Sequence, residues 1–438
     1  VTDLLEWART LSPSWEAKPL KAIAAYSVSS VDKVPIDGET PVRLCNYIDV
    51  YNNEFIHLGL DFMQSTASDD EIEKFGLRVN DVIITKDSES WDDIAVPALV
   101  TETADDLICG YHLAILRPAQ GKVCGPYLFR CMQAKSIRVQ MELASTGVTR
   151  FGLPKNEIGR LLLPVPPLRA QFAIADYLDT ETAKIDALVA AKENVLELLA
   201  EKRRSLITRA VTRGLNPDVP LRDSGLPWLG QIPKHWETER ARWLFRERDE
   251  RSQKGDEDLL TVSHLTGVTR RSEKDVNMFE AESTEGYKIC HTGDLVINTL
   301  WAWMGAMGVS PLHGIVSPAY NVYTPCERLV SAYVDALVRM PVFAQEATRF
   351  SKGVWSSRLR LYPEGLFDIW MPVPPVEEQH AIVAHVNRET TKLDDLRAAA
   401  ERTIGLLKER RTALIAAAVT GKISVCQGTG KRNEGVRS

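Results

Sequence analysis

The chain has 438 residues, 44% hydrophobic and 26% charged, which allows roughly two to four domains and excludes disordered, collagen-like and disulfide-scaffold classes. Its 53 basic and 59 acidic residues leave a formal charge of -6, which excludes a uniformly basic nucleic-acid coat while leaving room for a local basic groove. Seven cysteines, scattered between positions 45 and 426 without a C-x-x-C pair, read as reduced thiols in a cytoplasmic protein.

The opening VTDLLEWART carries Asp3 and Glu6 where a secretory leader needs basic residues and then an apolar run, so secretion is not expected. Residues 1–160 read as a first mixed α/β domain. Its short apolar runs, Val82 to Ile84 and Leu113 to Leu116, lie between Gly, Asn and Asp and suit strands. The segment PVPP at 164–167 closes this domain, because proline fits the first turn of a helix and not its interior. A short helix is expected next, then a second one capped by Asp179 or Thr180 and ended by Gly214. Along it Leu178, Ile185, Val189, Leu196, Leu199, Leu206 and Ala210 recur at steps of three, four and seven, a heptad seam. At 1.5 Å per residue, a helix over 180–212 spans roughly 50 Å, longer than a compact domain needs.

Residues 161–213 thus form a first helical spacer region, and 214–236, with four prolines and three glycines, read as a linker. A second domain over 237–368 resembles the first weakly: Gly293-Asp294-Leu295-Val296-Ile297 follows the pattern of Asn80-Asp81-Val82-Ile83-Ile84, and His235-Trp236-Glu237 that of Ser14-Trp15-Glu16. The stretch from Leu295 to Cys326 has no Asp, Glu, Lys or Arg, yet Pro311, Pro318 and three glycines interrupt it, so it reads as buried strands and loops rather than a membrane span. Trp301 and Trp303 within it are expected in the core. A second helical region covers 369–425, with a seam of Val386, Leu393, Ile404, Leu407, Leu414 and Ala418 interrupted by Arg397, and 426–438 form a flexible tail.

The two helical regions are copies. At an offset of 208 residues, 164–215 aligns with 372–423 without a gap and with 24 identities over 52 positions, too many for helix composition alone. A period this long marks a duplicated domain-plus-helix unit rather than a solenoid. Each seam has an obvious partner in its own copy, so the two helices are expected to pack together as an arm between two domains. The basic runs at Lys202 to Arg204 and Glu409 to Arg411 recur in both copies, which suits packing and partner docking better than sequence reading.

Catalytic signatures are missing from the sequence. Gly121-Lys122 is followed by Val123 and Gly421-Lys422 by Ile423, so neither forms a phosphate-binding loop. No N-P-P-[YF], D-P-P-[YF], G-x-S-x-G or H-E-x-x-H run occurs, and eight scattered histidines give no ligand set.

PVPP followed by Gln171 and Ile174, or by Glu378-Gln379 and Ile382, then a long helix ending in LITRAVT or LIAAAVTG, resembles the specificity subunit of type I restriction-modification systems. GLPWLGQIPKHWE resembles the usual opening of a target recognition domain in that family. The resemblance covers essentially the whole chain. It implies two mixed α/β target recognition domains on two long antiparallel helices related by a pseudo-twofold duplication, each domain reading one half of a bipartite site in double-stranded DNA. It further implies that the chain is not an enzyme and binds no cofactor, that two methyltransferase subunits carrying S-adenosylmethionine dock on the helices, that restriction/translocase subunits complete the complex, and that no membrane is involved. A duplicated coiled-coil scaffold without DNA selectivity is the rival reading.

DNA contact is expected in the loops just before each PVPP. In the first half these are Thr149, Arg150, Lys155 and Asn156; in the second, Lys352, Ser356, Ser357, Arg358 and Arg360. Glycines let the backbone approach, and Arg and Asn have the forked geometry that reads guanine and adenine. Weaker candidates are Lys86 and Ser88, with Ser90 and Trp91, after the strand at 82–84, and Arg270 and Arg271 after a polar turn.

Overall fold

A computed structural model of the chain describes residues 14–274, 283–353 and 359–423, with the isolated positions 8, 11 and 425. Ser356, Ser357, Arg358 and the tail 426–438 lie outside the described residues. The chain divides into two compact units, one made of Val1–Glu193 and Arg402–Ser438, the other of Asn194–Glu401. Both divisions fall at the same position of the repeat, since Glu193 and Glu401 are 208 residues apart. Each unit therefore holds one globular domain, the start of the helix that follows it and the end of the other copy's helix.

In the first unit a five-stranded sheet runs in the order Ala24–Val28, Leu113–Pro118, Val82–Thr85, Pro97–Val100, Phe55–Ile56. Its pairings are antiparallel except the last. Met63–Ala67, Thr40–Cys45 and Leu107–Cys109 make a second sheet. In the second unit the main sheet has four strands, Phe245–Arg248, Tyr320–Pro325, Leu295–Asn298 and Met307–Val309, all antiparallel. The uncharged run from Leu295 is thus spent on strands and turns, and no helix among the described residues is long and apolar enough to cross a membrane.

The equivalence of the two domains is visible in their hydrogen bonds. Glu16 pairs with Val165 and Glu237 with Val373, so the strand entering each domain lies against its own PVPP segment. The resemblance between Asn80-Asp81 and Gly293-Asp294 is structural: both first residues have positive φ, 75° and 93°. Both aspartates are buried and accept the backbone N–H three residues earlier, Arg78 at 2.9 Å and His291 at 2.8 Å. A guanidinium then neutralises each carboxylate, from Arg117 at 2.7 Å and Arg248 at 2.9 Å, as a buried charge requires.

The short and long helices expected after each PVPP are one. Leu168–Arg213 and Val376–Val419 are continuous helices of 46 and 44 residues. Asp179 and Thr180 do not cap because each is engaged otherwise. Arg130 donates to Asp179 at 2.6 Å, and the Thr180 hydroxyl donates to the Asp176 carbonyl one turn back. Gly214 and Gly421, at φ 74° and 75°, supply the left-handed residue at the end of each helix.

The seam is buried at Leu178, Ile185, Val189 and Ala210 and at Val386, Leu393 and Ala418, and half-buried at its other positions. Ile174 and Leu178 share the first unit's core with Ile415, Ala418 and Val419, while Ala210 and Val211 share the second unit's core with Ile382 and Val386. Arg397 does not interrupt it: it turns outward to Glu401 at 2.9 Å, and Ala400 takes the buried position. Two ion pairs report the register. Asp186 meets Arg411 in the first unit, and Arg203 meets Asp394 in the second. These are the same two repeat positions with the copies exchanged, so the helices run antiparallel within each unit.

The segment 214–236, linker-like in composition, is folded into the second unit. Leu221–Asp223 pairs with Gln231–Pro233, and Ile232 and Trp236 are buried in the core. The six cysteines among the described residues are free thiols. Burial pushes that of Cys290 up to about 12, which leaves it protonated and unreactive at neutral pH.

Candidate nucleic-acid interface

The loop before the first PVPP is a hairpin. Thr146–Gly147 pairs with Phe151–Gly152, which also pairs with Asp87–Ser88, so two candidate segments far apart in sequence become one small sheet. The turn is tight enough to demand glycine: at Gly147, φ 147°, a Cβ would sit 2.0 Å from the Arg150 carbonyl oxygen. Leu153 N–H donates to the Lys86 carbonyl at 2.9 Å, hanging the hairpin from the end of the central strand Val82–Thr85.

At the base of the hairpin, four side chains form a relay. Asp87, mostly buried, accepts from Lys86 at 3.0 Å and lies 2.5 Å from Nδ1 of His112. The other ring nitrogen of His112, Nε2, is 3.2 Å from Nη2 of Arg150. A guanidinium only donates, so Nε2 is the acceptor and Nδ1 carries the proton toward Asp87. Asp87 thereby fixes the imidazole and the imidazole steadies the Arg150 head, while the rest of that side chain stays exposed. Among the described residues no carboxylate lies within ion-pair distance of Arg150, so its charge is available to a phosphate or a base edge.

Thr149 is exposed at the hairpin tip, and Lys155 and Asn156 are exposed at the start of the helix Lys155–Arg160. Asn156 donates to Glu157, which also takes Arg160. Ser88 is different: it is 7% exposed and its hydroxyl accepts from Ser90 N–H, so it shapes the loop from within. Trp91, on the same loop, is 49% exposed.

The second unit repeats this plan. Lys352 and Arg360 form a two-way backbone bridge, both bonds 2.9 Å, and both are exposed. Leu361 N–H donates to the Thr299 carbonyl at 3.2 Å, just beyond the strand Leu295–Asn298. Leu361 and Leu153 are 208 residues apart and make the same bond to equivalent strand ends. Trp301 and Trp303, expected in the core, are not there. Trp301 is 51% exposed and stacks on Trp303 at 6.1 Å between centroids. The loop leaving the equivalent strand carries an exposed tryptophan in both units, Trp91 and Trp301, while Trp303 is half-buried and donates to the Leu300 carbonyl. Arg270 is committed to Asp258 at 2.9 Å, which raises its pKa further. Arg271 opens a single 3-10 turn, half-buried.

Sequence reasoning missed Asp87 and His112. No spacing marks them: they are 25 residues apart and meet because Lys86 N–H donates to the His112 carbonyl at 2.8 Å, where the pairing of Val82–Thr85 with Leu113–Pro118 ends. Among the described residues no group of three or more His, Cys, Asp or Glu is placed to hold a metal ion.

No family model matches the chain. It is 22% identical over 236 residues, 54% of its length and 49% of theirs, to the MjaX type I restriction enzyme specificity subunit of Methanocaldococcus jannaschii. It is 23% identical over 308 residues, 64% of its length, to the EcoBI type I specificity subunit of Escherichia coli, of which it spans 62%. The chain thus spans about half to three fifths of the length of these curated relatives. Among solved structures, a chain of a type I R-M system superposes with a TM-score of 0.66 at 18% identity over 94% of this chain and 99% of that one. The HsdS subunit of Thermoanaerobacter tengcongensis superposes at 0.54 and 17% identity over 94% and 98%. These likenesses show the fold.

Proposed function

Because this chain is related in sequence to type I restriction enzyme specificity subunits and has the fold of HsdS, we propose that it is the DNA-recognition subunit of a type I restriction-modification complex. Each domain reads one half of a bipartite, asymmetric site, and the long helices set the separation of the halves and dock two methyltransferase subunits. The observation that carries this reading is a pair of basic segments, one with exposed Thr149, Arg150, Lys155 and Asn156, the other bounded by exposed Lys352 and Arg360, with Leu153 and Leu361 tying them to equivalent strand ends by the same backbone bond. Their side chains differ, as two different half-sites require, while the helical contacts beneath them are shared. Arg150, Lys155, Asn156 and Thr149 serve one half-site, with Lys86 beside them and Ser88 supporting. Lys352, Arg360 and the loop residues Ser356, Ser357 and Arg358 serve the other. Arg270 and Arg271 lie on a separate hairpin and contact phosphate at most.

The chain performs no chemistry itself. S-adenosylmethionine belongs to the methyltransferase partners, and restriction/translocase subunits complete the cytoplasmic assembly. With a formal charge of -6, the isolated chain binds DNA poorly, since phosphate neutralisation depends on local positive charge that the partners add. Co-expression with the methyltransferase subunit, followed by mapping of modified adenines, tests the reading. The expected result is a single motif with two unlike halves and a fixed gap. Assembly with unselective methylation would leave only the scaffold without DNA selectivity.

A further inference from the structure

The two units differ at one place where their frameworks otherwise match. In the first, Arg411 donates to Asp186 at 2.9 Å and to Oε1 of Glu54 at 2.6 Å. The buried guanidinium of Arg130 lies 3.8 Å from the other oxygen of Glu54. Glu54 arrives there on the edge strand Phe55–Ile56, whose Phe55 ring packs 5.6 Å from that of Phe129.

In the second unit Arg203 occupies the repeat position of Arg411 and pairs with Asp394, the mate of Asp186. The strand that would deliver a second acid is missing among the described residues, because the main sheet ends at Met307–Val309. What remains is a recess of about 380 Å3 between the two long-helix segments and the turn joining the helices Ser331–Val338 and Pro341–Arg349. Arg203, Arg204 and Arg339 line it against a single acid, Asp335, alongside Ile207 and Val383. Asp335 is itself occupied, accepting Val309 N–H at 2.9 Å and lying 3.5 Å from Arg339.

We propose that this recess receives an acidic side chain of the docked methyltransferase subunit, supplying in trans the carboxylate that Glu54 supplies within the first unit. The inference rests on the reading that such subunits dock on the helices. Arg203 is held by Asp394 and Arg339 lies beside Asp335, so among the described residues Arg204 is the arginine of the recess left without an ion-pair partner and carries its excess of positive charge. A guanidinium pairs a carboxylate through two parallel bonds. The apolar part of the lining suits an acid carried on a partly apolar protein segment better than a hydrated phosphate. The two docking surfaces are consequently unlike: one is neutralised from within, the other waits for its partner.

The probe is the co-expressed, purified methyltransferase subunit, titrated against the full chain by calorimetry with stoichiometry from native mass spectrometry. Arg204→Glu combined with Arg339→Gln is expected to weaken one of the two bound copies by on the order of tenfold. Ala336→Glu, on the wall of the recess, places a carboxylate there from within and is expected to weaken the same copy with the thermal midpoint unchanged. Wild-type affinity in both variants overturns the proposal. So does a fall in DNA affinity with methyltransferase binding intact, which would make the recess a phosphate site. If the wild-type chain captures no methyltransferase subunit, the functional reading fails and the recess proposal falls with it; if the wild type captures it and the variants do so equally, only the recess proposal fails.

Discussion

At the scale of residues, Arg150 is the best-ordered of the side chains proposed to read DNA in the first unit, because its head is steadied at 3.2 Å by His112, which Asp87 holds in turn. Ordering a long side chain before binding lowers the entropy that binding must overcome. Among the described residues Arg360 has no such relay, and its backbone is bridged to Lys352. Replacing Arg150 and Lys155 by alanine is therefore expected to relax one half-site, and replacing Arg358 and Arg360 the other, each base-reading arginine contributing about 1–3 kcal/mol at its position. His112→Ala should loosen the same half-site as Arg150→Ala, by less. Methylation of oligonucleotide libraries randomised in one half at a time measures this. Equal relaxation of both halves by either double variant would contradict one domain per half-site.

At the scale of elements, each long helix is tied to its domain by a fully buried glutamine. Gln171 donates to the carbonyls of Lys122 and Pro166, at 3.0 and 2.9 Å, and accepts Cys124 N–H at 2.9 Å. Gln379 donates to Arg328 and Pro374, both at 2.8 Å, and accepts Val330 N–H at 2.7 Å. One amide thus satisfies three backbone groups that would otherwise be orphaned where the PVPP segment meets the helix. A phenol repeats the pattern: Tyr127 donates to the Val419 carbonyl and Tyr333 to that of Val211, the same repeat position. Burial holds both phenols well above the usual tyrosine value, so each keeps its proton. Gln171→Leu and Gln379→Leu are each expected to cost roughly 1–3 kcal/mol, the penalty for buried unpaired groups. Denaturant unfolding followed by hydrogen exchange should place the loss in the first and second unit respectively. A loss spread evenly over both units in either variant would contradict this.

At the scale of the whole molecule, neither half of the sequence completes a unit. The first unit needs Ile415, Ala418 and Val419 from the second helix to close its core. Those residues are identical to Ile207, Ala210 and Val211 of the first helix, and the Asp186–Arg411 pair can be rebuilt from Asp186 and Arg203. A chain cut to residues 1–215 therefore exposes an apolar seam while carrying a sequence able to cover it in a second copy. It is expected to sediment as a homodimer and, with the methyltransferase subunit, to direct methylation to a symmetric site built from the first half-site twice. A stable monomer at micromolar concentration would refute this.

The sequence alone determined the duplication, the long helical segments and their seam, because these depend on periodicity and on identity at a fixed offset; it marked Gln171 and Gln379 only as recurrent, and their burial came from the tertiary structure. It also located the basic loops, whose residue types suit DNA wherever the chain takes them. It misread the break before the long helix, since it could not show that Arg130 engages Asp179. Composition made 214–236 look like a linker, although tertiary packing buries Ile232 and Trp236. Only the tertiary structure decided which side chains meet. The Asp87–His112–Arg150 relay, the exposure of Trp301 and the open recess beside Arg203 all arise from contacts between segments distant in sequence, or from a missing edge strand. Such contacts leave no periodic trace, because the residues that make them answer to neighbours in space and not to neighbours along the chain.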